Sequence, residues 1–257
     1  MWEKESEVAR EAAEEAGKDL MGLFGRINQI RMKGAIDLVT EADLQAEKTI
    51  LDIIGRSFPD DRILTEEAGA NDKQSDRLWI IDPLDGTTNF AHRFPCFAVS
   101  IGLRVKKVMV LGIVYNPNSE DLYLALNGQG AYHNNRPIKV SQVKSIKESL
   151  LVTGFSYKVH DSPESELDLF GKMIMKAQGL RRPGSAALDL CYVASGICDG
   201  FWEKDLHPWD TAAGSLIVQE AGGVVSDYQN QPYDPFQKSI LAANPHIHKA
   251  MLEIIRT

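Results

Sequence analysis

An α+β fold, with an antiparallel-sheet N-terminal half packed on an α/β C-terminal half, is what the sequence predicts, and three observations predict it. Two β-like runs, 97–105 and 108–115, meet at Lys106-Lys107, and a further hairpin turns at Asn134-Asn135. From Ser149 onward, short strands alternate with helical stretches. Ahead of both, residues 3–25 and 44–58 carry apolar residues at helical spacing. The change of pattern falls near residue 148. It divides the chain into halves 1–148 and 149–257, expected to pack closely, because no repeat, low-complexity tract or long linker separates them.

In order, Val8, Ala12, Ala16, Leu20 and Leu23 or Phe24 share one face of a first helix. Residues 33–39 read as a connector into Thr40-Glu41-Ala42-Asp43, where Thr40 and Asp43 have capping-box spacing. Leu44, Leu51, Ile54 and Phe58 mark a second helix, stopped by Pro59. Glu66-Glu67 follow the apolar pair Ile63-Leu64 and precede a polar segment, 68–77, with the composition of a mobile loop. Trp79-Ile80-Ile81 reads as a buried strand that ends at Asp82, since proline at position 83 cannot continue a central strand. Asp82 and Asp85 then share a tight turn with Gly86, and Thr87-Thr88-Asn89 reads as a capped helix start or a polar loop.

The second half opens with a strand over 150–153 and a helix within 163–178. Arg181-Arg182-Pro183-Gly184-Ser185 introduces a helix that runs through Ser195. Phe201-Trp202-Glu203 is strand-like, His207-Pro208-Trp209-Asp210 reads as a turn, and 211–221 as a helix ended by Gly222-Gly223. A last strand over 240–243 leads into a C-terminal helix.

Composition narrows the function. Among 257 residues, 36 acids face 28 bases for a net charge of −8, which argues against binding to nucleic acid or to a membrane surface. Three cysteines, Cys96, Cys191 and Cys198, show no metal-binding spacing and read as buried free thiols of a reducing compartment. No stretch approaches the apolar length of a membrane span and the first residues lack a signal core, so a cytoplasmic location is expected.

The chemistry rests on carboxylates. Glu66, Asp82 with Asp85, and Asp210 all stand at element ends, where open α/β sheets gather ligands. Each alone reads equally as a surface acid. Gathered, they would repel one another unless cations neutralised them, and an oxygen-only set suits Mg²⁺, whereas zinc would recruit His and Cys. His92 and His207 lie near these acids and read as structural or peripheral. Magnesium on carboxylates commonly completes its shell with phosphate oxygens. Other phosphate machinery is missing: there is no Gly-x-x-x-x-Gly-Lys-Ser/Thr loop, and Gly128-Gln129-Gly130 lacks a third glycine. No Gly-x-Ser-x-Gly elbow supplies a covalent nucleophile. Attack of water on a metal-held phosphate is the reading that remains.

Glu66-Glu67, the block Asp82-Pro83-Leu84-Asp85-Gly86-Thr87-Thr88, and Trp209-Asp210 continuing through Ala212-Ala213-Gly214 to Glu220-Ala221-Gly222-Gly223 resemble the inositol monophosphatase family. The match runs from about Asp37 to Asn244 and its ordered set of motifs is specific. The resemblance implies a layered α/β/α/β/α sandwich, a homodimer, and Mg²⁺-dependent hydrolysis of a phosphate monoester that Li⁺ inhibits. It implies that Glu66, Asp82, Asp85, Asp210 and the main-chain oxygen of Leu84 hold two or three Mg²⁺ ions. It further implies that Thr87 and Glu66 orient the attacking water, with Asp43 behind Thr87, a role that competes with helix capping. Main-chain N–H groups of Gly86 and Thr87 would suit the phosphate, Gly184, Ser185, Ala186 and Glu203 would border the substrate alcohol, and Asp85 and Asp210 would also contact the substrate.

The chain departs from the family pattern at Thr65, where many members have glycine. Arg181-Arg182 would suit a second phosphate, a dimer contact or plain solvation. Inositol 1-phosphate is therefore the leading substrate. Fructose 1,6-bisphosphate and 3′-phosphoadenosine 5′-phosphate are alternatives, and a regulatory scaffold of low activity is a third.

Overall fold

A computed structural model describes residues 2–26, 30–32, 38–156 and 163–257. Most of the expected connector 33–39 lies outside the described residues. The first helix, α1 (Glu3–Leu23), is followed by β1 (Ile30–Met32), β2 (Leu38–Thr40) and α2 (Glu41–Ser57). Next come β3 (Arg62–Thr65), β4 (Gly69–Ala70), β5 (Arg77–Asp85) and the short α3 (Thr87–Ala91). A meander follows: β6 (Ala98–Val105), β7 (Val108–Asn116), β8 (Asp121–Leu126), β9 (Ala131–His133) and β10 (Arg136–Ile138). The rest of the chain comprises β11 (Leu150–Thr153), α4 (Pro163–Ile174), β12 (Gly179–Arg181), α5 (Ala186–Ala194), β13 (Gly200–Lys204), α6 (Pro208–Glu220), β14 (Val224–Ser226), β15 (Ser239–Ala243) and α7 (Pro245–Ile255).

The large sheet has eight strands in the order β10-β9-β8-β7-β6-β5-β3-β4, and the small one five, β12-β11-β13-β15-β14. Only β3 and β5 pair in parallel in the large sheet, while β11 is parallel to both its neighbours in the small one. Lys106-Lys107 and Asn134-Asn135 make the hairpin turns expected of them, all four with positive φ.

Three large apolar clusters, with a small fourth of Leu78, Ile80 and Ala212, separate five layers. One lies between α1, α2 and the outer face of the large sheet; it includes Ala12, Ala16, Ile50, Trp79 and Ile101. The second joins the inner faces of both sheets around α5 and α6. The third packs the far face of the small sheet against α4 and α7. The layers therefore run α/β/α/β/α.

The alanine-rich face of α1 lets it lie close to the sheet: a Cβ on Gly17 would meet Tyr115 Cε1 at 2.6 Å. On the opposite face, Gly102 of β6 pairs across the ladder with Gly112 of β7. The pair forms a shallow groove, in which a Cβ on Gly112 would sit 2.6 Å from Ala213 O. Helix α6 lies in that groove, and Ser100 Oγ donates to Trp209 O at 3.2 Å to hold its first turn. The seat of α6 on the large sheet thus aims its N-terminus, with Asp210, at the end of β5.

Several elements differ from the sequence reading. Strand β5 does not stop at Asp82 but continues to Asp85 through a bulge, with Asp82 opposite Ser100 and Asp85 opposite Ala98. Proline at position 83 is tolerated because the parallel pairing with β3 ends at Ile81, so no ladder bond is wanted on that side. The segment 68–77 is not wholly a loop: β4 pairs back on Leu64 and Thr65. His207-Pro208-Trp209-Asp210 is not a free turn but leads into α6, with Pro208 in its first turn and Asp210 at N3 of a capping box. Leu44 is exposed, and Ala42, Ala46, Ile50 and Ile54 form the buried face of α2 instead. The short strands β12 and β14 were too brief to show a period.

Candidate active site

The bulge of β5 builds the site. Pro83 and Leu84 stand outside the pairing with β6, and the Leu84 N–H turns back to donate to Asp82 Oδ1 at 2.9 Å. Gly86 follows with φ 93°, and a Cβ there would strike Cys96 O at 2.9 Å. That left-handed residue turns the chain from β5 into α3, and Thr87 becomes the first helical residue.

Thr87 Oγ1 lies 2.9 Å from Asp43 Oδ1 and 3.1 Å from Leu84 O. The other oxygen of Asp43 accepts from Thr40 N at 2.8 Å and Thr40 Oγ1 at 2.6 Å. Capping α2 and holding Thr87 are therefore compatible: one carboxylate does both, with one oxygen for each.

From the other half, the start of α5 closes over Asp85. Asp85 Oδ2 accepts from Ser185 Oγ at 2.5 Å and from Ala187 N at 2.8 Å, while Ser185 also caps α5. Asn89 binds the two sides together, its Nδ2 reaching Cys96 O at 2.7 Å, Pro183 O at 2.8 Å and Gly184 O at 3.2 Å. Asp210 is oriented by the His207 N–H, which donates to Oδ2 at 2.7 Å.

Carboxylate oxygens of Asp82, Asp85 and Asp210 lie within 4.8 Å of one another. Burial, joined by the charges of Glu66, Asp85 and Asp210, pushes the Asp82 carboxyl well above its ordinary range. Asp210 is raised in the same direction, first by burial and then by Asp85. Asp85 is pushed up to about 6 by burial, against the opposing hydrogen bonds from Ser185, Ala187 and Ala186. Burial also raises Asp43, against the hydrogen bonds from Thr40 and Thr87. Glu66, just past the end of β3, stands outside the tight group of three but acts electrostatically on Asp82 and Asp210. The donors are all oxygen and their charge exceeds what the surrounding N–H groups offset, so the set fits a hard divalent cation.

Asp85 and Asp210 open into a cavity of about 320 Å³. Gly86, Thr87 and Asn89 line it together with Gly184, Ser185, Ala186 and Glu203. Glu203 is buried on β13, and its carboxyl is pushed up to about 8 by burial, with Arg182 opposing. Arg182 lines the cavity, whereas Arg181 lies on β12 with Nη1 donating to Leu180 O at 2.9 Å. The two arginines of one dipeptide thus have different surroundings.

Of the sequence-predicted residues, Asp85, Gly86, Thr87, Gly184, Ser185, Ala186, Glu203 and Asp210 line the cavity, Asp82 joins Asp85 and Asp210 with Leu84 beside it in the bulge, Asp43 stands behind Thr87, and Glu66 lies outside both groups. His207, read as peripheral, enters through its main chain and stacks its ring on Trp209 at 4.7 Å. His92 caps the far end of α3. Sequence reasoning missed Asp189, which is 1 % exposed, lines the cavity, and has no hydrogen-bond partner for Oδ1. Its signal was present: it is the one charged residue in Ala186–Ala194, a helix whose residues are otherwise almost all apolar. Asn89 was missed too, because its partners are main-chain carbonyls far along the chain.

A layered α/β/α/β/α fold that converges oxygen ligands on a small polar cavity defines a metal-dependent phosphatase. The family model described as the inositol monophosphatase family matches residues 1–257, and the chain belongs to that family; it is a hydrolase of phosphoric monoesters. It is 47 % identical to an inositol-1-monophosphatase of Synechocystis over 97 % of this chain and 88 % of the relative. It is 41 % identical to the Nus factor SuhB of Escherichia coli K12, over 97 % and 94 % of the two chains. Among solved structures, the extragenic suppressor protein SuhB of Bartonella henselae superposes with a TM-score of 0.94 at 38 % identity, covering 98 % of both chains.

Proposed function

We propose that the protein hydrolyses inositol 1-phosphate, or a closely similar polyol monophosphate, to the alcohol and inorganic phosphate with Mg²⁺. The observation that carries this reading is the convergence of Asp82, Asp85 and Asp210 within 4.8 Å beside the cavity that Glu203, Gly184, Ser185 and Ala186 border. The 47 % identical relative named inositol-1-monophosphatase supports the choice of substrate.

In this reading Asp82, Asp85, Asp210, Glu66 and the Leu84 carbonyl hold the metal, and the ligand count suits two or three ions. Bound Mg²⁺ supplies charge neutralisation and Lewis acidity toward phosphate and water. Thr87 has one hydroxyl proton, and Asp43 and Leu84 O both stand ready to accept it. Its remaining lone pairs are left to accept from a water molecule, which fixes that water's orientation. Glu66 accepts the water's other proton from the rim. Main-chain N–H groups of Gly86 and Thr87 face the phosphate, and Glu203 with Ser185 and Ala186 receive hydroxyls of the alcohol. The division near residue 148 then has a meaning: the first half brings Asp82, Asp85 and Thr87, and the second brings Asp210 and the alcohol contacts.

The same reading includes a homodimer inhibited by Li⁺, in the cytoplasm, where the three buried free thiols stay reduced. Two other readings have an observation behind each. Arg182 in the cavity wall would suit a second phosphate, as on fructose 1,6-bisphosphate or 3′-phosphoadenosine 5′-phosphate. The relatives named Nus factor favour a regulatory scaffold. Keeping mutually repelling buried acids together has a use in turnover and none in a scaffold, which favours the enzyme.

Phosphate release from the three substrates, with and without Mg²⁺, is the test. Release from inositol 1-phosphate alone, requiring Mg²⁺, is the expected result. Preference for either bisphosphate would replace the substrate, and no release from any of the three would favour the scaffold.

A further inference from the structure

A second cavity, a groove of about 700 Å³, lies beyond the end of β13 on the other side of Asp205 from the active site. Lys204, Lys238 and Arg256 line it, and Asp205 is the single acid among its walls. The protein as a whole carries a net charge of −8, so three cations around one groove reverse the local sign. None of the three forms an ion pair among the described residues. Lys204 Nζ instead stands 5.5 Å from the centre of the Tyr228 ring, and Arg256 Nη2 donates to Gln229 O at 3.1 Å.

The groove is held by the fold. Lys204 and Ser239 are paired partners on neighbouring strands, and Ser239 Oγ accepts from Tyr228 N at 3.2 Å. The Asp205 N–H donates to Lys238 O at 2.8 Å, which ties the chain carrying one lysine to the chain carrying the other. Tyr228 is buried, so the aromatic wall is anchored in the core. Three cations thus converge from β13, the start of β15 and the end of α7. No described acid stands within ion-pair distance of them, and they surround more space than one phosphate group needs.

We propose that this groove is a binding site for a small oligophosphate anion, with Lys204, Lys238 and Arg256 as its charged contacts. It is separate from the catalytic cavity and opposite to it in charge. Asp205 is the wall the two cavities share, so the occupant lies one residue from the edge of the active site.

Charge separates the two sites experimentally. Full-length protein freed of divalent ions over a chelating resin presents an acidic active site that repels anions, while the groove keeps its cations. Calorimetric titration with inorganic pyrophosphate should then show one site per chain, weakened by added salt. Lys204→Ala and Lys238→Ala should each weaken binding about 10-fold, the scale of one charge-assisted hydrogen bond. Lys106→Ala in the β6–β7 turn should leave it unchanged. Asp210→Asn should also bind pyrophosphate normally, which keeps the outcome independent of the phosphatase reading. Absence of binding by the wild type, or equal weakening by the Lys106 variant, would overturn the proposal.

Discussion

The hydroxyl of Thr87 lies 2.9 Å from one oxygen of Asp43, and the other oxygen of Asp43 caps helix α2 through Thr40. A single carboxylate thereby fixes both a helix start and a hydroxyl of the site. Asp43→Ala should lose stability by about 1 kcal/mol for the cap and activity by more than the stability loss explains. Asp43→Asn keeps one acceptor oxygen, so it should recover part of the activity. Urea unfolding set beside kcat for both variants checks this. Equal activity in wild type and Asp43→Ala would show that Thr87 needs no support.

Asp82→Asn and Asp210→Asn should lower kcat by roughly three orders of magnitude or more, the scale at which electrostatic groups act. Each also removes one of several repelling buried acids, so the metal-free variants should melt at or above the wild-type temperature. Differential scanning calorimetry without divalent ions, paired with a phosphate-release assay, reads both. Near-normal turnover in both variants would remove them from the metal site.

Addition of Mg²⁺ should raise the melting temperature of the wild type, because a ligand that binds only the folded chain stabilises it, by about 2.7 kcal/mol at 100 times its Kd. The rise should vanish in Asp82→Asn. In Glu66→Gln it should be reduced but present, since Glu66 stands outside the tight group of aspartates. An identical rise in all three proteins would contradict this division.

Burial raises the Glu203 carboxyl from its ordinary value of 4.5 to about 8. An acid whose folded-state pKa is raised contributes stability fully below its unfolded value, and that contribution is lost as pH rises through the folded one. Stability should therefore decline as pH rises from about 4.5 to about 8, and Glu203→Gln should flatten the decline. The same variant should raise KM for inositol 1-phosphate more than for p-nitrophenyl phosphate, which has no hydroxyls to offer. A pH-melting series that is parallel in wild type and variant would refute the assignment.

Gly86→Ala should destabilise strongly, because φ 93° is unfavourable for an L side chain and the new Cβ would meet Cys96 O at 2.9 Å. Circular dichroism melting measures the loss. A melting temperature equal to the wild type would mean that the turn can relax.

The convergence of Asp82, Asp85 and Asp210 was legible in the sequence because these acids stand in short motifs at element ends. Trp79-Ile80-Ile81 showed a buried strand, and the acids after it were conspicuous against that run. The positions of Lys106-Lys107 and Asn134-Asn135 announced their turns through residue type. What stayed hidden depends on pairing between distant segments. The end of β3 at Thr65 is what permits a proline in β5, and no local pattern reports where a neighbouring strand stops. Asp210 looked like a turn residue because His-Pro also opens turns, although a proline in the first turn with an acid at N3 equally marks a helix start. Asp189 was overlooked because a lone acid in an apolar helix acquires meaning only from the cavity beside it.

Asn89 grips main-chain carbonyls from two distant stretches of the chain, at Cys96 and at Pro183 and Gly184. One amide therefore ties the approach to α5 to the chain that follows α3. Any motion that parts these two stretches would have to break that amide's bonds first.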